Sequence, residues 1–155
     1  MIKILFICHG NICRSPMAEF VMKELVESRG LSCNFQIASA ATSTEEIGNP
    51  VYPPVKRLLT RRGIDCSSKR ARQVTRCDYR EYDFLVCMDS NNLRNLFKII
   101  GNDTVGKVSR LMDFTESPHD VADPWYTGDF DTTERDINKG CEALLEYILS
   151  NGLLK

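Results

Sequence analysis

A chain of 155 residues, 43% hydrophobic and 26% charged, builds one well-packed core, which gives a single domain over residues 1–155 and excludes a disordered chain. Its net charge of −1 argues against a nucleic-acid partner. The charge is uneven, with 12 Lys and Arg against 6 Asp and Glu in residues 1–77 and 8 against 15 in residues 78–155, so either an anion binds near the first half or the halves complement each other.

Ile2 to Cys8 is almost continuously apolar, as a strand covered on both faces would be. Ser15 and Pro16 then read as a helix start, Ser as N-cap and Pro in the first turn. Met17, Phe20, Val21 and Leu25 follow at helical spacing up to Gly30. Phe35–Ala40 reads as a second strand. Pro53–Arg62 reads as a short helix with Val55, Leu58 and Leu59 inward, stopped by Gly63. Phe84–Met88 is a third strand. Asp89 or Ser90 caps the next helix, which is expected to bury Leu93, Leu96, Phe97 and Ile100 before Gly101. A weaker strand lies near Lys107–Leu111. The last helix is expected from about Thr133 to Asn151, with Ile137, Cys141, Leu144, Leu145, Ile148 and Leu149 on one face. Alternating strands and helices predict an α/β fold: three αβα layers around a central four-stranded parallel sheet. In such sheets ligands bind beyond the carboxyl ends of the strands, so the junction after the first strand is the place for a site.

No apolar run approaches the ~20 residues that span a bilayer. The opening stretch is short and has no basic segment before it, so no signal peptide and no membrane partner are expected. Seven cysteines stand without a CxxC pair, and only His9 and His119 could join them. Neither a zinc site nor a disulfide framework is expected, and a reducing cytoplasm fits best.

The junction reads Cys8-His9-Gly10-Asn11-Ile12-Cys13-Arg14-Ser15. The spacing Cys-x5-Arg is weak alone: chance gives about half a match in this composition, and Cys66 with Arg72 also fits. Cys8, however, ends a buried strand and its loop feeds a helix N-terminus. Gly10 and Asn11 tolerate left-handed backbone angles that turn N–H groups inward. Such a loop cradles an anion, and Arg14 can grip two phosphoryl oxygens. A cysteine at a helix N-terminus beside a cation titrates at roughly 3.5–7.5 rather than ~8.5, so a Cys8 thiolate aimed at phosphorus is expected.

This loop resembles the phosphate-binding loop of the low-molecular-weight protein tyrosine phosphatases, matched from Ile7 to Pro16. Segments from Ala71 to Thr75 and from Cys87 to Asp89 are also similar to family segments, and Asp123-Pro124-Trp125-Tyr126 resembles the family's acid loop. The resemblance implies an aryl phosphomonoesterase acting through a phosphocysteine on Cys8. Arg14 would bind the phosphoryl group and Asp123 would be the general acid and base. His9, Gly10, Asn11, Ile12, Cys13 and Ser15 would form the phosphate loop. Asn11 would hold its shape with Ser39, Ser15 would donate to the Cys8 sulfur, and Cys13 would form a reversible disulfide with Cys8. Ile12 suits a phosphotyrosine-like aryl phosphate. Glu45, Trp125 and Tyr126 would wall the cleft. No cofactor or metal is implied. The expected partner is a phosphotyrosine-containing protein or a small aryl phosphate, met by a monomer or weak dimer.

The chain departs from the family in three places. Glu45 and Glu46 stand where an aromatic often sits, Lys69-Arg70 where a histidine often precedes the Arg-Ala-Arg-Gln-like segment, and Ala38 where some members have Asp before Ser39. His9 and His119 are expected to be plain loop residues. Two rivals share the loop. An arsenate reductase would need a second redox pair, for which only Cys77 and Cys87 offer themselves. A phosphocysteine carrier or phosphopeptide-binding module could use the same cradle without turning over, and a carrier would need neither Arg14 nor an acid.

Overall fold

The computed structural model describes residues 1–154; Lys155, the last residue of the expected domain, lies outside the described residues. Four parallel strands form one sheet: β1 (Ile2–Cys8), β2 (Phe35–Ala41), β3 (Phe84–Cys87) and β4 (Val108–Arg110), in the order β2-β1-β3-β4. Among the described residues six α-helices accompany them: α1 (Arg14–Ser28), α2 (Pro53–Arg61), α3 (Arg76–Glu81), α4 (Ser90–Ile100), α5 (Pro124–Thr127) and α6 (Phe130–Ser150). The α/β architecture with helices on both faces of a parallel sheet is as expected.

Strand periodicity divides the core. Ile4, Phe6 and Cys8 of β1 point into one cluster with Met17, Val21, Val55, Leu59, Ile137, Cys141 and Leu144 from α1, α2 and α6. Leu5 and Ile7 point into the other, with Val74, Tyr82, Leu96 and Ile100. Ile4, Leu5, Phe6 and Ile7 are wholly buried, and each contributes about 1.5–3 kcal/mol relative to an exposed side chain. This anchors the strand whose end carries Cys8. Gly140 has a packing role: a Cβ there would collide with the Leu111 side chain, so α6 approaches the turn after β4 only because Gly140 has none.

The chain leaves β1 for β2 on one side and then crosses to β3 on the other. The carboxyl ends of β1 and β3 therefore flank the crevice that a change of winding direction opens. Cys8 closes one end and Asp89, just after β3, the other.

Several local expectations change. Ser15 is not the cap of α1. The helix begins at Arg14 after Cys13, which makes no capping bond, and the Ser15 hydroxyl is engaged with Cys8 and Asn11. Gly10 does not use a left-handed backbone; only Asn11 does, at φ 59°. Gly10 instead makes room for Glu46, whose Cγ would lie 3.3 Å from an added Cβ. Phe97 is 40% exposed rather than buried, since Leu96 and Ile100 already fill that face of α4. The last helix starts earlier, at Phe130, because Asp129 accepts the Thr132 N–H and caps it. The short helices α3 and α5 were not expected; Thr75 and Asp78 form a capping box for the first and Asp123 caps the second.

Candidate active site

The site grows from the end of β1. Ser15 Oγ lies 3.0 Å from Cys8 Sγ, and the Ser15 N–H points at the same sulfur from 3.4 Å. One sulfur thus meets a hydroxyl and a backbone N–H, both supplied by the first turn of α1. Cys8 is 3% exposed, at the bottom of a cavity of about 140 Å³.

Behind the loop the bonding is dense. Asn11 Nδ2 donates to Ser15 Oγ (2.8 Å) and to Ser39 Oγ (2.9 Å), while Asn11 Oδ1 accepts the Arg72 N–H (3.2 Å). These three bonds explain why a non-glycine residue holds a left-handed backbone here: Asn is among the few that do so readily, and its amide is tied down on every side.

Arg14 is 3% exposed and forms the other side of the floor. Its Nη1 donates to Asp89 Oδ2 (2.7 Å) and to the Val121 carbonyl (2.8 Å), and Nη2 stands 3.5 Å from Asp123 Oδ2. Burial works against the charge, but Cys8, Asp89 and Asp123 outweigh it and hold the guanidinium above its ordinary range. Asp89 has two duties, because its Oδ1 also caps α4 through the Asn92 N–H at 2.7 Å. Its link to Arg14 had no sequence signal beyond the cap, since contact across 75 residues depends on β1 and β3 being neighbours. Burial, with help from Cys8 and Asp123, pushes the Cys13 thiol up, so the second loop cysteine is held as a thiol.

Asp123 caps α5 by accepting the Trp125 N–H at 3.0 Å, which leaves Oδ2 facing Arg14 and the cavity. Trp125 and Tyr126 line one wall. Tyr52, which the sequence did not single out, supports it: its ring centroid is 4.9 Å from that of Trp125, and its N–H donates to the Ile12 carbonyl at 2.8 Å. Glu45 and Glu46 line the facing wall with His9, Gly10 and Ile12. His9 Nε2 and Glu45 Oε2 are 2.9 Å apart on that exposed rim.

The structure therefore gathers Cys8, His9, Gly10, Ile12, Cys13, Arg14, Glu45, Asp123, Trp125 and Tyr126 around one cavity. It sets Asn11, Ser15 and Ser39 directly behind it. His119 sits elsewhere, bonded to Asp136 and the Ser117 carbonyl. Among the described residues no group of three or more His, Cys, Asp and Glu side chains is arranged to hold a metal ion, and no helix is long and apolar enough to cross a membrane.

Known proteins resemble the chain along most of its length. The family described as low molecular weight phosphotyrosine protein phosphatase matches residues 3–152. The low molecular weight protein-tyrosine-phosphatase YfkJ of Bacillus subtilis is 39% identical over 150 residues, covering 96% of each chain, and the human low molecular weight phosphotyrosine protein phosphatase is 38% identical over 148 residues, covering 92% of this chain and 93% of its own. The crystal structure of YfkJ superposes with a TM-score of 0.93 at 38% identity, covering 97% of this chain and 96% of that one. Vibrio vulnificus Wzb in complex with benzylphosphonate superposes at 0.81 with 25% identity, covering 94% of this chain and 98% of that one. With these matches spanning nearly all of the chain, the protein belongs to the low molecular weight phosphotyrosine protein phosphatase family and is a hydrolase of the protein-tyrosine-phosphatase class.

Proposed function

We propose that the protein hydrolyses aryl phosphate monoesters of the phosphotyrosine type in two steps through a phosphocysteine on Cys8. The observation that carries this reading is the convergence of Cys8 Sγ, the Arg14 guanidinium and Asp123 Oδ2 on one small cavity. Arg14 has two nitrogens facing carboxylates and a carbonyl, and its planar fork suits the equatorial oxygens of a phosphoryl group. The Cys8 sulfur attacks phosphorus, the P–O bond to the leaving group breaks, and protonated Asp123 gives its proton to the departing oxygen. In the second step Asp123 takes a proton from water, the water oxygen bonds to phosphorus, and the P–S bond breaks with its electrons returning to sulfur. A placed carboxyl of this kind is worth about 10²–10⁴ in rate.

The Trp125, Tyr126 and Ile12 surfaces suit a flat ring above the phosphoryl site, and the benzylphosphonate bound by Wzb is a ligand of that shape. The substrate is a phosphotyrosine side chain of a protein or a small aryl phosphate, with no nucleic acid or membrane involved. The protein works in the cytoplasm as a monomer or weak dimer, without cofactor or metal.

Steady-state hydrolysis of p-nitrophenyl phosphate tests the reading. Sustained turnover that survives a chelator is expected. Release of a single equivalent of nitrophenol followed by arrest would indicate a phosphocysteine carrier instead.

A further inference from the structure

Residues 115–123 form neither helix nor strand, yet they bring two groups to Arg14: the Val121 carbonyl on Nη1 and the Asp123 carboxylate beside Nη2. They run beside the turn from β3 into α4, which brings the third, Asp89. Two sets of bonds join these segments. On the inside, the buried Val121 donates its N–H to the Met88 carbonyl at 2.9 Å. On the outside, Asp120 Oδ1 accepts the Ser90 N–H at 3.1 Å, the Ser90 hydroxyl at 3.2 Å and Arg110 Nη1 at 2.8 Å. The bonded residues Ser90 and Asp120 are thus the chain neighbours of Asp89 and Val121, which share Arg14 Nη1. Arg110 is itself anchored. It ends β4, and Asp113 Oδ1 holds its Nε at 3.1 Å and its Nη2 at 2.8 Å, which leaves Nη1 for Asp120. Burial raises the Asp120 titration, but Arg110 and Ser90 outweigh it, so the group is a carboxylate and can only accept. Neither Arg110 nor Asp120 lines the cavity.

We propose that the Arg110–Asp120–Ser90 joint fixes the acid loop against the start of α4 and so sets where Arg14 and Asp123 stand relative to the Cys8 sulfur. Arg110 and Asp120 are then positioning residues, acting through Ser90 and the backbone of residues 120–123 without touching substrate. The inference rests on Arg14 and Asp123 having the roles proposed above. An ion pair as open to solvent as Arg110 and Asp120, whose side chains are 22% and 48% exposed, adds little to stability. A small displacement of a reacting group, by contrast, lowers rate steeply. The joint is therefore expected to show in the chemistry rather than in the melting temperature.

Two measurements test this: kcat/KM over a series of aryl phosphates with progressively poorer leaving phenols, and the affinity for inorganic phosphate by titration calorimetry. Thermal melting of each variant reports on folding. Asp120→Ala should lower kcat/KM about tenfold for p-nitrophenyl phosphate and about a hundredfold for phenyl phosphate, because a misplaced Asp123 matters most where the leaving oxygen most needs a proton. Phosphate should bind roughly three- to tenfold more weakly, since the fork of Arg14 loses its fixed frame. Arg110→Met should move both readouts the same way by a smaller factor. Asp120→Asn keeps an oxygen acceptor for Ser90 and Arg110 and should retain most of both. In an Asp123→Ala background Asp120→Ala should no longer change the leaving-group dependence. An equal fall along the series in folded Asp120→Ala, or an unmoved phosphate affinity, would overturn the proposal. So would a loss in Asp120→Asn as large as in Asp120→Ala, which would assign the effect to charge instead of position. Should Asp120→Ala fail to fold, unmoved values in Arg110→Met would overturn it as well. Should Asp123→Ala itself leave the series parallel, the acid role falls, and the phosphate affinity, which needs no turnover, decides alone for or against the joint.

Discussion

Beneath the Cys8 cavity, Asn11, Ser15, Ser39 and Glu19 are each no more than 5% exposed and are bonded to one another, whereas at its mouth Trp125 is 56% exposed, Tyr126 84% and the Glu45 side chain 68%. The floor is a closed network in which each side chain is bonded to its neighbours. The rim is a set of separate surfaces held by few bonds: Trp125 leans on Tyr52, and the Glu45 carboxylate meets His9. A fixed floor suits chemistry that needs atoms placed to within a few tenths of an ångström, and an open rim suits selection among substrates. Substitutions in the floor should cost rate by orders of magnitude, and substitutions at the rim should change only preference.

The largest loss is expected at the sulfur. Cys8→Ser should lower p-nitrophenyl phosphate turnover by about 10⁴–10⁶-fold and remove the pre-steady-state burst, as stopped-flow absorbance would show. Asp123→Ala should lower turnover by about 10²–10⁴-fold, most for poorly leaving phenols. A leaving-group series that falls equally throughout would take Asp123 out of the acid role. Asn11→Ala removes three hydrogen bonds and asks alanine to hold a left-handed backbone. It should destabilise the fold by about 2–4 kcal/mol in urea titration and slow turnover more than it weakens phosphate binding.

At the rim, Glu45→Gln with Glu46→Gln should change kcat/KM no more than about tenfold, and only between peptides. Two carboxylates beside the entrance favour phosphotyrosine peptides with basic neighbours at low salt. Kinetics on matched basic and acidic peptides should show that preference shrinking in the variant. Farther out, the Ser117 carbonyl and Asp136 raise the His119 titration above its ordinary 6.5. A raised folded value means the stabilisation is complete below about pH 6.5 and is lost as pH climbs through the folded value. Melting of wild type and Asp136→Asn should therefore differ most in mild acid and converge at alkaline pH.

The sequence made β1 and its loop legible because the signals were local: an apolar run broken only by Lys3, then Gly, Asn, Arg and Ser-Pro in a fixed order. Cys66 and Arg72 show what spacing alone is worth. Cys66 is 2% exposed in the hydrophobic core, and Arg72 pairs with Asp78 at 3.0 Å. Yet the backbone N–H of Arg72 holds Asn11 in place, a duty no side-chain pattern could disclose. Ser-Pro usually opens a helix, so the sequence points to Ser15 as a cap, while the competing demand of the Cys8 sulfur lies seven residues away. Asp89, Glu19 and Lys69 join the site across 75, 20 and 30 residues of chain, and Tyr52 through its contacts with Ile12 and Trp125, in elements whose neighbours only the fold fixes. Their roles in the network emerged only from the folded chain.

The most direct test of the account is to quench the protein within milliseconds of mixing it with an aryl phosphate and to map any bound phosphoryl group by mass spectrometry. The account predicts one phosphoryl group on the peptide containing Cys8, longer-lived in Asp123→Ala and missing from Cys8→Ser. Sustained hydrolysis with no phosphoryl group on that peptide in any variant, or with the group on His119 or another side chain, would contradict it.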